Sequence, residues 1–197
     1  MTVRVVVEDT GFGVRAAVLA DDRLIELRDC DRDDPAVTGA LFAARVTAVD
    51  ARLNAAFVDC GLDQPALLVA KDARAAAGSA ERLPIRQLLR EGQRLVVQGL
   101  REPAGDKGAR VTADVKLLGH ALVHSPLAVP AVGPARREAT ALHARAEALF
   151  PDGGFALRRH AADLADAALL AEAEALRERW RALEKAARSA RPGRLPE

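Results

Sequence analysis

Short apolar runs of strand length, separated by turn residues, fill the first 120 or so positions, and a stripe of apolar residues at helical spacing occupies the end of the chain. "TVRVVVEDTGFGVRAAVLADDRLIELRDC" reads as three strands. An apolar run, a turn at Gly11 to Gly13, "VRAAVLA", an Asp-Asp-Arg turn and "LIELRD" make a small antiparallel meander. The acidic, Pro-containing "DCDRDDPAVTG" then interrupts the pattern, which puts a boundary near Pro35. From Gly39 to about Leu117 strands return as "ALFAARVTAVD", "NAAFVDCG", "PALLVA", "QRLVVQGLRE" and "ARVTADVKL", with one short helix in "LPIRQLLREG". Five strands with a small helix between the third and fourth suit an OB-type barrel, with Gly61 and Gly92 as sites for bends or bulges.

Beyond Gly119 the character changes. A Pro-rich strand-and-loop stretch precedes a helix in "ATALHARAEALF", a "PDGG" turn, a strand-like "FALRRHA" and a long helix over most of 162–190. In that helix Leu169, Leu176, Trp180, Leu183 and Ala187 form one buried stripe, which predicts packing on its own domain in preference to a coiled-coil partner. Asp163 or Asp166 suits its N-terminus, and Arg188 and Arg191 suit its C-terminus before Pro192 stops it.

Composition narrows the chemistry. The 29 Lys and Arg nearly cancel the 28 Asp and Glu, so any polyanion site is local and not a property of the whole chain. Tyr is absent and aromatics are 3% of the residues, which leaves room for one or two stacked bases and not for many. Cys30 and Cys60 stand thirty residues apart with no CxxC, against a zinc ribbon or a disulfide scaffold and in favour of a reduced, cytoplasmic setting. No apolar run approaches the ~20 residues of a membrane span, and the charged N-terminus forms no signal-peptide core. His120, His124 and His143 make no metal-ligand set, and Gly11 to Gly13 is not a phosphate loop. One aromatic stands out: in "AAFVD" strand alternation puts Ala55, Phe57 and Asp59 on one side, so Phe57 either fills a core or shares the wetter face with Asp59.

"VTGALFAARVTAVDARLNAAFVDCGLDQPALLV" followed by "LLREGQRLVVQGLREPAGDKGARVTADVKLLGHALVHSP" resembles the N-terminal part of bacterial ribonuclease E/G proteins, and the likeness extends through "PARRE" and "FALRRHA" to "RERWRALEKAARSARP". The resemblance implies an α+β, mainly β fold. Residues 1–35 would be part of an RNase H-like subdomain, 36–118 an S1-type OB barrel, and 119–197 a small α/β 5′-sensor-like subdomain with the long C-terminal helix. In the family, cleavage belongs to a downstream DNase I-like domain that holds magnesium. No cleavage and no cofactor is therefore expected of this chain alone.

On the barrel, the resemblance implies that Phe57 stacks on a base and that Lys107, with Arg110 and Arg101 nearby, meets the RNA backbone, while Glu102 and Asp106 oppose that charge. Where the family tends to place a second aromatic, this chain has Leu67. Arg158 matches an arginine that grips a 5′-monophosphate, and Arg159 stands where the family usually has threonine. Gly119 and Val123 would add backbone contacts, Arg136 would support the pocket, and His160 could act as a proton-dependent donor. The implied partners are single-stranded RNA and a second copy or full-length homologue. The alternatives are a degenerate relative serving as a protein-interaction or structural module, and one half of an interrupted endoribonuclease.

Overall fold

A computed structural model describes residues 2–11, 13–31, 36–78, 81–127 and 140–196. The chain divides into two compact units, Met1–Val37 and Thr38–Glu197. The first is the expected meander of β1 (Val3–Asp9), β2 (Gly13–Ala20) and β3 (Arg23–Asp31) in that order. Asp21 and Asp22, both at positive φ (46° and 64°), make the tight β2–β3 turn, a conformation that Asp tolerates and that matches the twist of a hairpin. Asp9 closes the other turn by accepting the Gly11 N–H at 2.9 Å.

The second unit is built on a closed barrel. Strands β4 (Leu41–Asp50), β5 (Ala55–Asp59), β6 (Ala66–Val69), β7 (Arg94–Arg101) and β8 (Arg110–Thr112) run in the order β4-β5-β6-β8-β7, and β7 returns to pair with β4. This is the expected mainly-β, OB-like architecture. Its interior follows from strand alternation: Phe42 faces Val97, Val46 faces Val58, and Ala56 faces Leu68, all fully or almost fully buried. Helices α1 (Ala70–Ala73) and α2 (Ile85–Leu88) fill the β6–β7 connection, and Asn54 tethers α2 by accepting the Ile85 N–H at 2.9 Å.

The outer side of β4 and β7 carries a second core. Leu41, Ala43 and Val96 join Leu117, Leu122, Phe150 and the predicted stripe Leu169, Leu176, Trp180, Leu183 and Ala187 in one buried cluster. That stripe belongs to α4 (Asp166–Ser189), which also packs beside β9 (Leu117–Leu118), β10 (Leu122–His124) and β11 (Phe155–Leu157), a sheet in the order β11-β10-β9. The preceding helix, α3, spans Thr140–Leu149.

Three details differ from the pattern-based expectation. The long helix begins at Asp166, not near 162, because Leu164 and Ala165 are extended and Arg159–Asp163 form a separate 3-10 turn. Neither aspartate caps it: the N-cap is Ala165, and the Asp166 carboxylate accepts two hydrogen bonds from Arg145, at 3.0 and 2.6 Å. The helix ends at Ser189 ahead of Pro192, as expected, but an unexpected strand, β12 (Gly193–Arg194), then adds to β4 opposite Ala43 and Phe42. Gly61 permits this, since a Cβ there would lie 2.7 Å from the Pro192 carbonyl oxygen. Among the described residues no helix is long and apolar enough to cross a membrane.

Candidate functional site

In OB barrels the face of the second and third strands, with the loops joining strands one to two and four to five, is where oligonucleotides and oligosaccharides bind. Here those strands are β5 and β6. Cross-strand register places Ala48, Phe57, Leu67 and Arg110 side by side across β4, β5, β6 and β8; all four are half-buried, and the residues flanking Phe57, Leu67 and Arg110 are buried. Phe57 therefore lies on the outer face with Asp59, as the wetter-face alternative required. A bulge in β4 between Val46 and Ala48 lets Thr47 Oγ1 donate to the Phe57 carbonyl at 3.0 Å, which fixes the strand beneath the ring.

Lys107 is exposed on a turn closed by two bonds with Ala104, at 3.0 and 3.1 Å. Gly108 seats that turn on the barrel, because a Cβ there would come 2.1 Å from the Pro65 carbonyl oxygen. Arg101 lies across from Arg110. Arg110 itself is engaged: its Nη2 meets Asp72 Oδ2 at 2.8 Å, and its buried Nε–H has no acceptor among the described residues. Asp72 also receives the Ala113 N–H on its backbone carbonyl at 2.8 Å, so α1 pins the end of β8 and neutralises much of the Arg110 charge. Nothing in the spacing of Asp72 and Arg110 announces this pair. Leu53, in the β4–β5 turn, is 61% exposed.

The second candidate group gathers around β9–β11. Strand β11 ends at Leu157, so Arg158 and Arg159 do not alternate along a strand; Arg158 is extended and Arg159 opens the 3-10 turn. Arg158 Nη1 donates to the Gly119 carbonyl at 2.9 Å, and the Arg158 N–H to the Ala121 carbonyl at 2.8 Å. His160 Nε2 hydrogen-bonds the His120 carbonyl, and the two imidazole rings lie 4.7 Å apart. Gly119, Arg158 and His160 are thus joined through the Gly119–Ala121 backbone, with exposed Arg159 between the last two in sequence. Val123 sits in the central strand of its sheet, with Leu118 on one side and Ala156 on the other. Arg136 lies outside the described residues.

Two residues hold this turn from below. Glu172 on α4 accepts the Ala121 N–H at 2.9 Å and the Leu122 N–H at 3.1 Å, and a Cβ on Gly119 would collide with its Oε1 at 2.0 Å. Arg145 on α3 reaches the Ala161, Ala162 and Leu164 carbonyls as well as Asp166, tying the 3-10 turn to the start of α4. Neither is marked by any sequence spacing.

His124 is buried, stacked on Phe155 at 4.3 Å, with Nδ1–H donating to the Gly154 carbonyl at 3.0 Å. Burial holds its pKa below the usual value of 6.5, the Gly154 bond opposes this, and the Arg177 charge adds to it. The unfolded state then binds more protons than the folded one just below pH ~6.5, so this contribution to stability is full above that pH and is lost as pH falls. Urea midpoints of the parent should rise between about pH 5.5 and 7, and His124→Phe, which keeps the stacking and removes the titration, should flatten that rise. Cys60 is a buried free thiol pushed up to about 12 by burial and by Asp59, so it is unreactive at neutral pH. Among the described residues no group of three or more His, Cys, Asp or Glu is placed to hold a metal ion.

The fold and this surface define an OB-barrel protein joined through one hydrophobic core to a small α/β layer. By sequence its homologues are proteins named Ribonuclease G and Ribonuclease E. It is 32% identical to Ribonuclease G of Escherichia coli (strain K12) over 91% of this chain and 40% of that protein. Identity is 35% to Ribonuclease G of Haemophilus influenzae over 74% of this chain and 32% of that protein. Ribonuclease E of Escherichia coli (strain K12) is 31% identical over 89% of this chain and 18% of that protein. The chain thus spans well under half the length of the curated relatives it matches. No family model matches it.

Proposed function

We propose that Thr38–Glu197 binds single-stranded RNA across β5 and β6 and reads a 5′-monophosphate at the Arg158–Arg159 turn, in RNA processing and decay of the ribonuclease E/G type. The observation that carries this reading is Phe57: a phenyl ring on the outer face of the two strands that OB barrels use, near the exposed Lys107 turn. Residues 1–35, 36–118 and 119–197 then serve as RNase H-like, S1 and 5′-sensor parts. Magnesium chemistry belongs to the complete family enzyme in this reading, and the described residues supply no ligand set for it.

The test compares 5′-monophosphorylated with 5′-hydroxyl RNA of one sequence. The parent is expected to prefer the phosphate, and Arg158→Ala to erase that preference at a cost of about tenfold, roughly 1.4 kcal/mol. Equal affinity of the parent for both ends would remove the sensing role and leave the barrel role standing. A protein-interaction module is the second reading, favoured by the Arg110–Asp72 pair, which cancels a cation on the barrel, and by exposed Val5, Val7 and Ile25 on the meander. Absence of RNA binding would turn the search to a protein partner, a full-length homologue or a second copy.

A further inference from the structure

A cleft of about 220 Å³ opens where β4 and β7 meet β9 and α4, lined by Leu41, Gln98, Lys116, Leu118 and Arg179 among others. Its two cations are differently placed from Arg110. Lys116 is 57% exposed, and its nearest carboxylate, Asp114, is 3.8 Å away and itself 46% exposed, a pair that solvent largely screens. Arg179 makes no ion pair among the described residues; Glu174, on the same helix, is taken by Arg177 and Arg181, and Glu172 by the Ala121 and Leu122 N–H groups. Gln98 holds the wall in place: its Oε1 accepts the Lys116 N–H at 2.9 Å, and its Nε2 donates to the Gly39 carbonyl at 2.9 Å. Leu118, 65% exposed, adds an apolar edge.

The cleft lies between the two candidate surfaces. On one side, Glu172, Leu176 and Arg179 follow one face of α4 at spacings of four and three. Leu176 Cδ1 would lie 3.1 Å from a Cβ on Gly119, and Arg179 is about 4.5 Å further along the helix axis. The Gly119 carbonyl is the one that Arg158 holds. On the other side, Gln98 precedes Arg101 by three residues on β7, Arg101 lies across from Arg110, Arg110 from Leu67, and Leu67 from Phe57.

We infer that the Lys116–Arg179 cleft receives a backbone phosphate of a single-stranded RNA that crosses from the Arg158 turn to the Phe57 face. This rests on the RNA-binding reading above. Two cations flanking a narrow opening suit a phosphodiester, and the exposed Leu118 edge suits the ribose or base beside it.

The experiment measures binding of a fluorescent oligouridine of about ten nucleotides across a salt series for the parent, Lys116→Gln/Arg179→Gln, Arg179→Lys and Phe57→Ala. The double variant should bind about tenfold more weakly at low salt, with the slope of log K against log salt reduced by roughly 0.7 for each phosphate that is no longer neutralised. Arg179→Lys should retain most of the affinity, and Phe57→Ala should lose affinity with its slope unchanged. Parent-like affinity and slope in the double variant, with Phe57→Ala still impaired, would overturn the cleft and leave the barrel reading intact. A parent that does not bind RNA would overturn both. Thermal midpoints accompany every titration, and if the double variant unfolds, Lys116→Gln alone, a change at a mostly exposed side chain, carries the same comparison.

Discussion

Phe57→Ala is expected to weaken binding of single-stranded RNA by ~1–3 kcal/mol, about 5- to 150-fold, with little change in thermal midpoint. The asymmetry follows from where the ring stands. Its strand neighbours Ala56 and Val58 are completely buried and carry the barrel interior, whereas Phe57 is half-exposed between Ala48 and Leu67. Neither neighbour is aromatic, so one ring supplies the stacking surface of this face. Removing it leaves only charge, and the remaining affinity should then depend on salt as steeply as before. Leu67→Phe is the converse change at the facing position. It offers a second platform, and a gain in affinity without a steeper salt dependence is the expected outcome.

Leu169→Ala is expected to lower the stability of the Thr38–Glu197 unit by ~2–5 kcal/mol, seen as a lower midpoint in urea or on heating. Leu169 is fully buried in the core that unites α4 with β4, β7 and the β9–β11 sheet. A cavity there weakens the joint between the barrel and the β9–β11 layer, while the barrel's own interior, centred on Phe42, Val58 and Leu68, is untouched. Exposed Leu170, one position on, provides the contrast: Leu170→Ala should stay within about half a kcal/mol of the parent. Equal losses at both positions would contradict the orientation of the helix.

The large features of this fold were legible because they are periodic. The stripe from Leu169 to Ala187 announced which face of α4 is buried, and alternation in "AAFVD" sorted Phe57 and Asp59 from Ala56 and Val58. What escaped the sequence is non-local or too short to have a period. Strand β12 has two residues and exists because Gly61 leaves room for the Pro192 backbone. Asp72 and Arg110 are separated by 38 residues, and only the closed barrel brings them together. The same holds for Glu172 beneath Gly119 and for Arg145, whose bonds to the 159–163 turn move the start of α4 to Asp166. Arg158 and Arg159 looked like strand residues by alternation, but β11 ends just before them, Arg158 is extended and Arg159 begins a 3-10 turn. The resemblance to the ribonuclease E/G proteins singled out Phe57, Lys107 and Arg110 on the barrel. It did not reveal that Asp72 already occupies Arg110.

The most direct test of RNA binding on the barrel is a titration of the isotope-labelled chain with a short single-stranded RNA, followed by backbone amide chemical shifts. Saturable shifts are expected at Ala56 to Val58, at Leu67 and around Ala104 to Gly108, weakened by added salt, if RNA lies across β5 and β6. Saturable shifts confined to other surfaces, or none at all at low salt, would contradict it.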